Sequence, residues 1–184
     1  MWGGIHMELQ KVLEERRSVR KYKEGGAPSE EEILTMIRAA QEAPSWKNSE
    51  TGRYYCITSE ETLDKFRQEC LPAANAAKSL NAALIVTTFV KDQAGYEKDG
   101  TPDNELGNGW GCYDLGLQNE NLILKAREMG YATLIMGIRN ADKIRSLLNI
   151  PEDEVIGAVI ATGTPAEEPN RPRRRETEEI VKFY

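Results

Sequence analysis

The stretch LGLQNENLILKAREMGYATLIMG, residues 115–137, contains the change of periodicity on which the fold depends. Its first part continues a helical pattern over about 110–129, and Gly130 predicts the end of that helix, because glycine is common just after the last helical turn. Residues 133–136 then have the composition of a β-strand. Apolar residues occupy more than one face of the helix, which predicts a heavily buried helix. A long helix leading at once into a strand is therefore the centre of the predicted fold.

The rest of the chain alternates helical and strand patterns. Ser29 and Glu32 predict a capping box, and the helix after it should end before Pro44. Asn140 is predicted to cap a late helix that Pro151 ends. Further helices are predicted over 8–17, over a segment capped by Thr58 with Glu61, and over 73–80, and strands over 53–58, 83–90 and 155–162. Helices around a modest sheet, without repeats or a linker, favour one α+β domain spanning 1–184.

Composition limits the partners of this domain. The 184 residues include 24 basic and 30 acidic residues, which gives a formal charge of -6. An acidic surface disfavours nucleic acid and anionic membranes as partners. No apolar run reaches the roughly 20 residues that span a bilayer, and the N-terminal residues lack the pattern of a signal peptide. We therefore expect a soluble protein.

The cysteines and the histidine restrict the chemistry. Cys56, Cys70 and Cys112 are far apart and in no metal-binding spacing. We therefore expect no disulfide framework, no metal site and a reducing, cytoplasmic location. The one histidine, His6, lies in residues 1–7, which we expect to be mobile, so a triad built on histidine is not expected. Any enzymatic activity should depend on a cofactor.

Nine of the 24 basic residues fall in two clusters. The early cluster comprises Arg16, Arg17, Arg20, Lys21 and Lys23, with Ser18 among them, and the late cluster comprises Arg171, Arg173, Arg174 and Arg175. Converging guanidinium groups suit phosphate oxygens. Each cluster alone also fits a solvated surface, since a helix C-terminus favours cations. RNA binding by the late cluster is a third interpretation, disfavoured by the glutamates that follow it and by the lack of interleaved aromatic residues.

Two further segments are candidates for ligand contacts. The polar loop 44–49 follows a helix, and Asn48 offers both a donor and an acceptor to the edge of a heterocycle. Trp46 could cover an apolar ligand face, although for this loop taken alone a helix-ending turn with a packed tryptophan fits better. Gly137 ends a strand, where glycine lets a ligand approach the backbone closely.

The order of these parts resembles the FMN-dependent nitroreductase family from about Leu9 to the C-terminus. The resemblance rests on RRSVRKY at 16–22, APSWKNS at 43–49, QNENL at 118–122, MGYATLIMG at 129–137, and Gly163-Thr164-Pro165 followed by the arginine tail. It implies a sandwich with a central mixed or antiparallel sheet flanked by helices. It also implies a homodimer with two active sites at the interface and with exchanged C-terminal arms over 164–184. The exchange would bury the apolar residues of 180–184.

The resemblance assigns FMN-binding roles in four groups. Contacts with the phosphate and the pyrimidine edge would come from Arg16, Arg17, Ser18 and Arg20. The flavin bound mainly by the partner subunit would be reached by Pro44, Ser45, Trp46 and Asn48. Backbone contacts near N5 and O4 would come from Ile135, Met136 and Gly137, and the phosphate would be closed off by Arg173 and Arg174. Arg20 would also stabilise negative charge on the reduced flavin. No side chain is assigned as a catalytic acid or base.

The implied activity is transfer of electrons from NAD(P)H through FMN to a nitroaromatic, a quinone or a similar small acceptor, by a ping-pong mechanism. The alternatives are other flavin chemistry on the same fold, such as reductive dehalogenation or flavin destruction, and a flavin-binding protein without turnover. The family often continues the asparagine loop with Gln-Pro-Trp, where this chain has Glu50-Thr51-Gly52.

Overall fold

The computed structural model describes residues 8–184, so the predicted mobility of residues 1–7 and the place of His6 lie outside the described residues. The described chain forms helices α1 (Leu9–Glu15), α2 (Glu30–Gln41), α3 (Glu60–Cys70), α4 (Ala73–Lys78), α5 (Gly109–Glu128) and α6 (Ala141–Leu148), and strands β1 (Gly52–Ile57), β2 (Ala83–Val90), β3 (Ala132–Met136) and β4 (Glu154–Gly163). Short 3-10 turns lie at Trp46–Asn48 and Thr177–Glu179. No α-helix within residues 8–184 is long and apolar enough to cross a membrane.

The four strands form one antiparallel sheet in the order β1-β2-β4-β3. All eight residues of β2 are buried, as its continuous apolar run predicts. Ile85 packs with α2 and α5 on one face of the sheet, whereas Leu84 and Val86 pack with α3 and α6 on the other. This alternation follows from the two-residue period of a strand. The result is a three-layer α+β sandwich, which confirms the predicted fold class.

Helix α5 covers one face of the sheet. Its buried face includes Leu115, Leu122 and Ala126, whereas Cys112 and Tyr113 on the opposite face are exposed. The prediction of a helix buried on more than one face was therefore wrong. Apolar residues lie on both faces of α5, but in one subunit only one of those faces has a sheet to pack against.

The helix caps follow the local sequence at three of four predicted positions. Ser29 and Glu32 form the capping box of α2, and Asn140 accepts the backbone N–H of Lys143 at 3.0 Å. Gly130, at φ +88°, follows α5 in a Schellman motif, in which the Tyr131 N–H donates to the Ala126 carbonyl. The prediction of Thr58 as the cap of α3 was wrong, because Ser59 occupies that position and Thr58 donates to Glu30.

The early basic segment lies beside the edge strand of the sheet. The Val19 N–H donates to the Thr133 carbonyl at 3.1 Å, and the Lys23 N–H donates to Thr164 at 3.0 Å. The Ala166 N–H donates in turn to Lys21 at 2.9 Å. These bonds place residues 16–23 between the start of β3 and the base of the C-terminal arm. Residues 170–184 are all exposed.

Candidate functional site

A cavity of about 340 Å³ opens where α1, the end of α5, the start of β3 and the base of the C-terminal arm meet. Its size lies at the lower end of the usual range for ligand pockets. Its lining comes from all four of these parts: Glu15, Arg16, Arg17, Val19, Ile123, Arg127, Tyr131, Ala132, Thr133, Pro165, Glu167, Glu168 and Pro169. The site is thus built from segments far apart in sequence and fixed by the pairing of residues 18–23 with the sheet edge.

Guanidinium groups dominate the donors of this cavity. The Nε atoms of Arg17 and Arg127 are both buried without a hydrogen-bond partner. Burial lowers the pKa of Arg17, and the positive charges of Arg171, Arg16, Arg174 and Arg127 lower it further. Arginine stays protonated in proteins, so these shifts indicate concentrated positive charge. A buried donor without a partner is costly, and an anion placed here would satisfy it.

Carboxylates limit this positive charge. Glu15 accepts a hydrogen bond from Arg127 at 2.6 Å, and Glu167 accepts one from the backbone N–H of Arg20 at 2.9 Å. Glu168 also lines the cavity. Two of the three acidic side chains are therefore engaged by donors in or beside the cavity.

The sequence-predicted residues of the early group lie together. Arg16 and Arg17 line the cavity, and Ser18 forms a parallel bridge with Thr133. The exposed Arg20 donates to the Ser18 carbonyl at 3.0 Å. The bridge at Ser18 therefore presents this group along the edge of β3.

The arm brings part of the late group to the same place. Arg174 is one of the two arm residues whose charge lowers the Arg17 pKa, and Arg171 is the other. Arg173 is exposed. Part of the late cluster therefore acts electrostatically on the early cluster, and Arg171 joins the predicted set as a candidate.

The end of β3 forms the third group. Ile135 is 48% exposed, Met136 is buried, and a Cβ placed on Gly137 would have no atom within 4 Å. The backbone at Gly137 is therefore open to close approach by a ligand. Met136 is three residues from the cavity-lining Thr133, which is roughly 10 Å along a strand.

The predicted loop group lies elsewhere. The Trp46 backbone N–H donates to the buried Asp114 at 2.8 Å. The ring centroids of Trp46 and Trp110 lie 4.4 Å apart. Asn48, at φ +55°, donates to Glu50 at 2.9 Å. The Ser45 hydroxyl accepts the Glu50 N–H at 3.1 Å, and Pro44 leads into the turn. These contacts hold the loop near the start of α5.

A single subunit does not bring the loop group to the basic cavity. Trp46 is bound at Asp114, whereas the cavity lies at Arg127, thirteen residues further along α5. Thirteen residues correspond to roughly 20 Å along a helix axis. Within one chain, the loop and the cavity therefore lie far apart.

Three residues of these sites were missed from the sequence. Arg127 resembles an ordinary cation in the last turn of a helix, and Asp114 lies on a helix face whose burial the sequence does not indicate. Thr133 is one of several strand threonines. Their roles depend on contacts between segments far apart in the chain, which no local pattern signals.

Comparison with known proteins gives a consistent result. Residues 13–164 match the model of the Nitroreductase family. A protein of Archaeoglobus fulgidus, provisionally named NADH dehydrogenase/NAD(P)H nitroreductase, is 28% identical over 170 residues that cover 88% of this chain and 87% of that protein. A BluB-like flavoprotein from Clostridium difficile 630 has a TM-score of 0.76 at 27% identity, with 97% and 99% coverage of the two chains. A provisionally named nitroreductase from Exiguobacterium sibiricum 255-15, solved with FMN, shares the fold at 21% identity, with a TM-score of 0.81 and coverage of 97% and 98%.

Proposed function

This chain belongs to the Nitroreductase family, and from that premise we propose that it is an FMN-dependent oxidoreductase that takes electrons from NAD(P)H. The observation that carries the proposal is the cavity where Arg17 and Arg127 keep buried N–H groups without partners and where the charges of Arg171 and Arg174 act on Arg17. The FMN complex of the Exiguobacterium protein, the flavoprotein relative and the nicotinamide-dependent names of the relatives support the cofactors.

The cavity residues fit the phosphate of FMN. Arg16 and Arg17 would bind it from the early cluster, with Arg174 and either Arg171 or Arg173 from the arm. Charge-assisted bonds from planar guanidinium groups are the strongest that neutral-pH side chains offer to phosphate. Ser18 would add a hydroxyl donor beside them.

The edge of β3 would orient the rest of the cofactor. The backbone of Ile135, Met136 and Gly137 would contact the flavin ring, because the open space at Gly137 admits a planar group. Arg20, exposed beside Ser18, would place a cation at the pyrimidine end and stabilise negative charge there. No acid or base is needed from the side chains of this group.

The site would be completed by a second subunit. We infer a homodimer in which the loop 44–48 of one subunit reaches the cavity of the other, since the two are roughly 20 Å apart within one chain. Asn48 and the Trp46 edge would contact the flavin across the interface. The exposed apolar end of the arm, with Phe183 at 94% exposure, supports exchange of 164–184 between subunits.

When bound, FMN would supply the redox chemistry by accepting a hydride from the nicotinamide and passing electrons to a nitroaromatic, a quinone or a similar small acceptor. The residues of the chain bind, orient and provide charge. The relative described as a BluB-like flavoprotein supports flavin binding without specifying a reaction, so the fate of the flavin separates reduction of an acceptor from destruction of the flavin. The three cysteines, free in the structure, support a reducing cytoplasmic location.

An absorption spectrum of the purified protein, followed by anaerobic titration with NADH and with NADPH, tests the proposal. We expect a yellow protein, or one that becomes yellow on reconstitution with FMN, whose absorbance at long wavelength disappears on reduction. A nitroaromatic or a quinone should then restore the full spectrum over many turnovers. A protein that cannot be loaded with FMN contradicts the proposal, and irreversible loss of the flavin favours the flavin-destroying alternative.

A further inference from the structure

We infer that Arg127 is a further phosphate-binding residue of the cavity and that Glu15 is its internal counter-ion, which competes with the nucleotide phosphate for the same guanidinium. The inference rests on the proposed function, because it names residues of the same cavity, and it goes beyond that function by assigning a pair that the early and late clusters do not contain.

The position of Arg127 supports this role. It lies in the last turn of α5 and lines the cavity together with Arg16 and Arg17. Its charge is among those that lower the Arg17 pKa, so the two guanidinium groups share one electrostatic environment. A phosphate that binds Arg17 is therefore attracted by Arg127 as well.

The hydrogen bonding of Arg127 leaves donors to spare. Its Nη2 donates to Glu15 at 2.6 Å, whereas its Nε is buried without a partner. A guanidinium carries five N–H donors in a planar fork that suits two oxygens of one anion. A second acceptor beside Glu15 would satisfy the buried Nε–H, and the cavity is the space from which such an acceptor would come.

Glu15 is placed to pair with Arg127 when no anion is bound and to release it when an anion binds. Its side chain is 36% exposed at the end of α1, and its second oxygen lies 3.9 Å from the Lys11 Nζ. The hydrogen bond from Arg127 is the main cause that lowers the pKa of Glu15, so the carboxylate stays ionised at neutral pH. Lys11 can still pair with the Glu15 carboxylate when Arg127 binds an anion instead. The ionised Glu15 nonetheless repels the phosphate and reduces its affinity.

Comparison of FMN with riboflavin, which lacks the phosphate, isolates this contact. The test measures binding of each flavin to the apo-protein by fluorescence quenching, in the wild type, in Arg127→Gln and in Arg38→Gln. Arg38 is a matched control, because it is an exposed arginine of α2 that pairs with Glu31 away from the cavity. We expect Arg127→Gln to raise the Kd for FMN about tenfold, as loss of one charge-assisted contact implies, and to leave riboflavin binding unchanged. Arg38→Gln should change neither.

Two more variants test whether Glu15 opposes FMN binding and whether a positive charge at position 127 favours it. Glu15→Gln should tighten FMN a few fold without changing riboflavin, because it removes the competing charge, and Arg127→Lys should recover part of the lost FMN affinity. Equal weakening of FMN and riboflavin by Arg127→Gln would indicate a structural role and overturn the inference, as would normal FMN binding by that variant. A wild type that binds riboflavin and FMN equally would also overturn it, whereas a wild type that binds neither would overturn the proposed function and the inference together.

Discussion

Asp114 is a carboxylate held in the interior of the protein at 3% exposure, where the backbone N–H of Trp46 donates to it at 2.8 Å. Burial raises the pKa of Asp114, and the hydrogen bond from Trp46 opposes only part of that rise. The folded protein therefore binds this proton more tightly than the unfolded chain does. The contribution of this group to stability is therefore fully present below the ordinary carboxyl pKa of about 3.9 and is lost as the pH rises through the raised folded value.

We expect Asp114→Asn to stabilise the protein at pH 7 relative to the wild type, with a difference that shrinks towards pH 4. The amide oxygen can still accept the Trp46 N–H, but it carries no charge that burial would penalise. Denaturant unfolding of both proteins across this pH range measures the difference, and Glu105→Gln, in an exposed loop, is the control. A difference that does not vary with pH would contradict this assignment of the carboxylate.

The contact between α5 and β2 depends on a glycine. A Cβ on Gly111 would lie 2.3 Å from the ring of Phe89, which is itself buried. On the same helix, a Cβ on Gly116 would meet nothing within 4 Å. The two positions share the helical conformation and differ in the space around them.

We predict opposite effects for alanine at these two positions. Gly111→Ala should lower the free energy of unfolding by about 1–3 kcal/mol, because overpacking a buried ring outweighs the gain in helix propensity. Gly116→Ala should raise it by roughly 0.5–1 kcal/mol through that propensity alone. Denaturant unfolding measures both changes. Similar effects of the two substitutions would show that the close approach of Phe89 does not limit the packing of α5.

Local signals explain which elements the sequence predicted. The capping box at Ser29, the cap at Asn140 and the Schellman glycine at 130 were predicted because each depends on residues within six positions of one another. The exposed face of α5 was not predicted, because burial of a helix depends on which neighbours it packs against. Arg127 was missed for the same reason, since its partner Glu15 is 112 positions away. Helix caps can therefore be predicted from neighbouring residues, whereas contacts between distant segments can be seen only in the folded structure.

At the scale of the whole molecule, the distribution of charge decides which anions can bind more than the total charge does. The formal charge of -6 disfavours polyanions, yet the fold gathers Arg16, Arg17 and Arg127 around one cavity. The charges of two arginines of the arm add to the positive charge at Arg17. The sequence predicted that the early and late clusters would share a ligand but gave the late pair as Arg173 and Arg174. The charges of Arg171 and Arg174 lower the pKa of Arg17. Which pair of the arm binds the phosphate stays a prediction, because extended chain has no periodicity from which that choice could be made.

The arm also ends in apolar side chains that one subunit leaves in solvent. Ile180 is 69% exposed, and Phe183 and Tyr184 are almost fully exposed. Burial of side chains of this size is worth about 1.5–3 kcal/mol each. Removal of residues 180–184 should therefore weaken the proposed dimer by several kcal/mol while it keeps the arginines of the late cluster.

Sedimentation velocity over a range of concentrations measures this effect. We expect the full chain to sediment as a dimer and the chain shortened to residue 179 to dissociate at micromolar concentration. The shortened chain should also lose FMN on dilution, because the loop 44–48 of the second subunit would leave the site. A paired variant, Phe183→Ser with Tyr184→Ser, keeps the length of the arm and should reproduce the dissociation. A dimer that both variants leave intact would place the interface elsewhere, and loss of FMN without dissociation would assign the apolar end to the cofactor site itself.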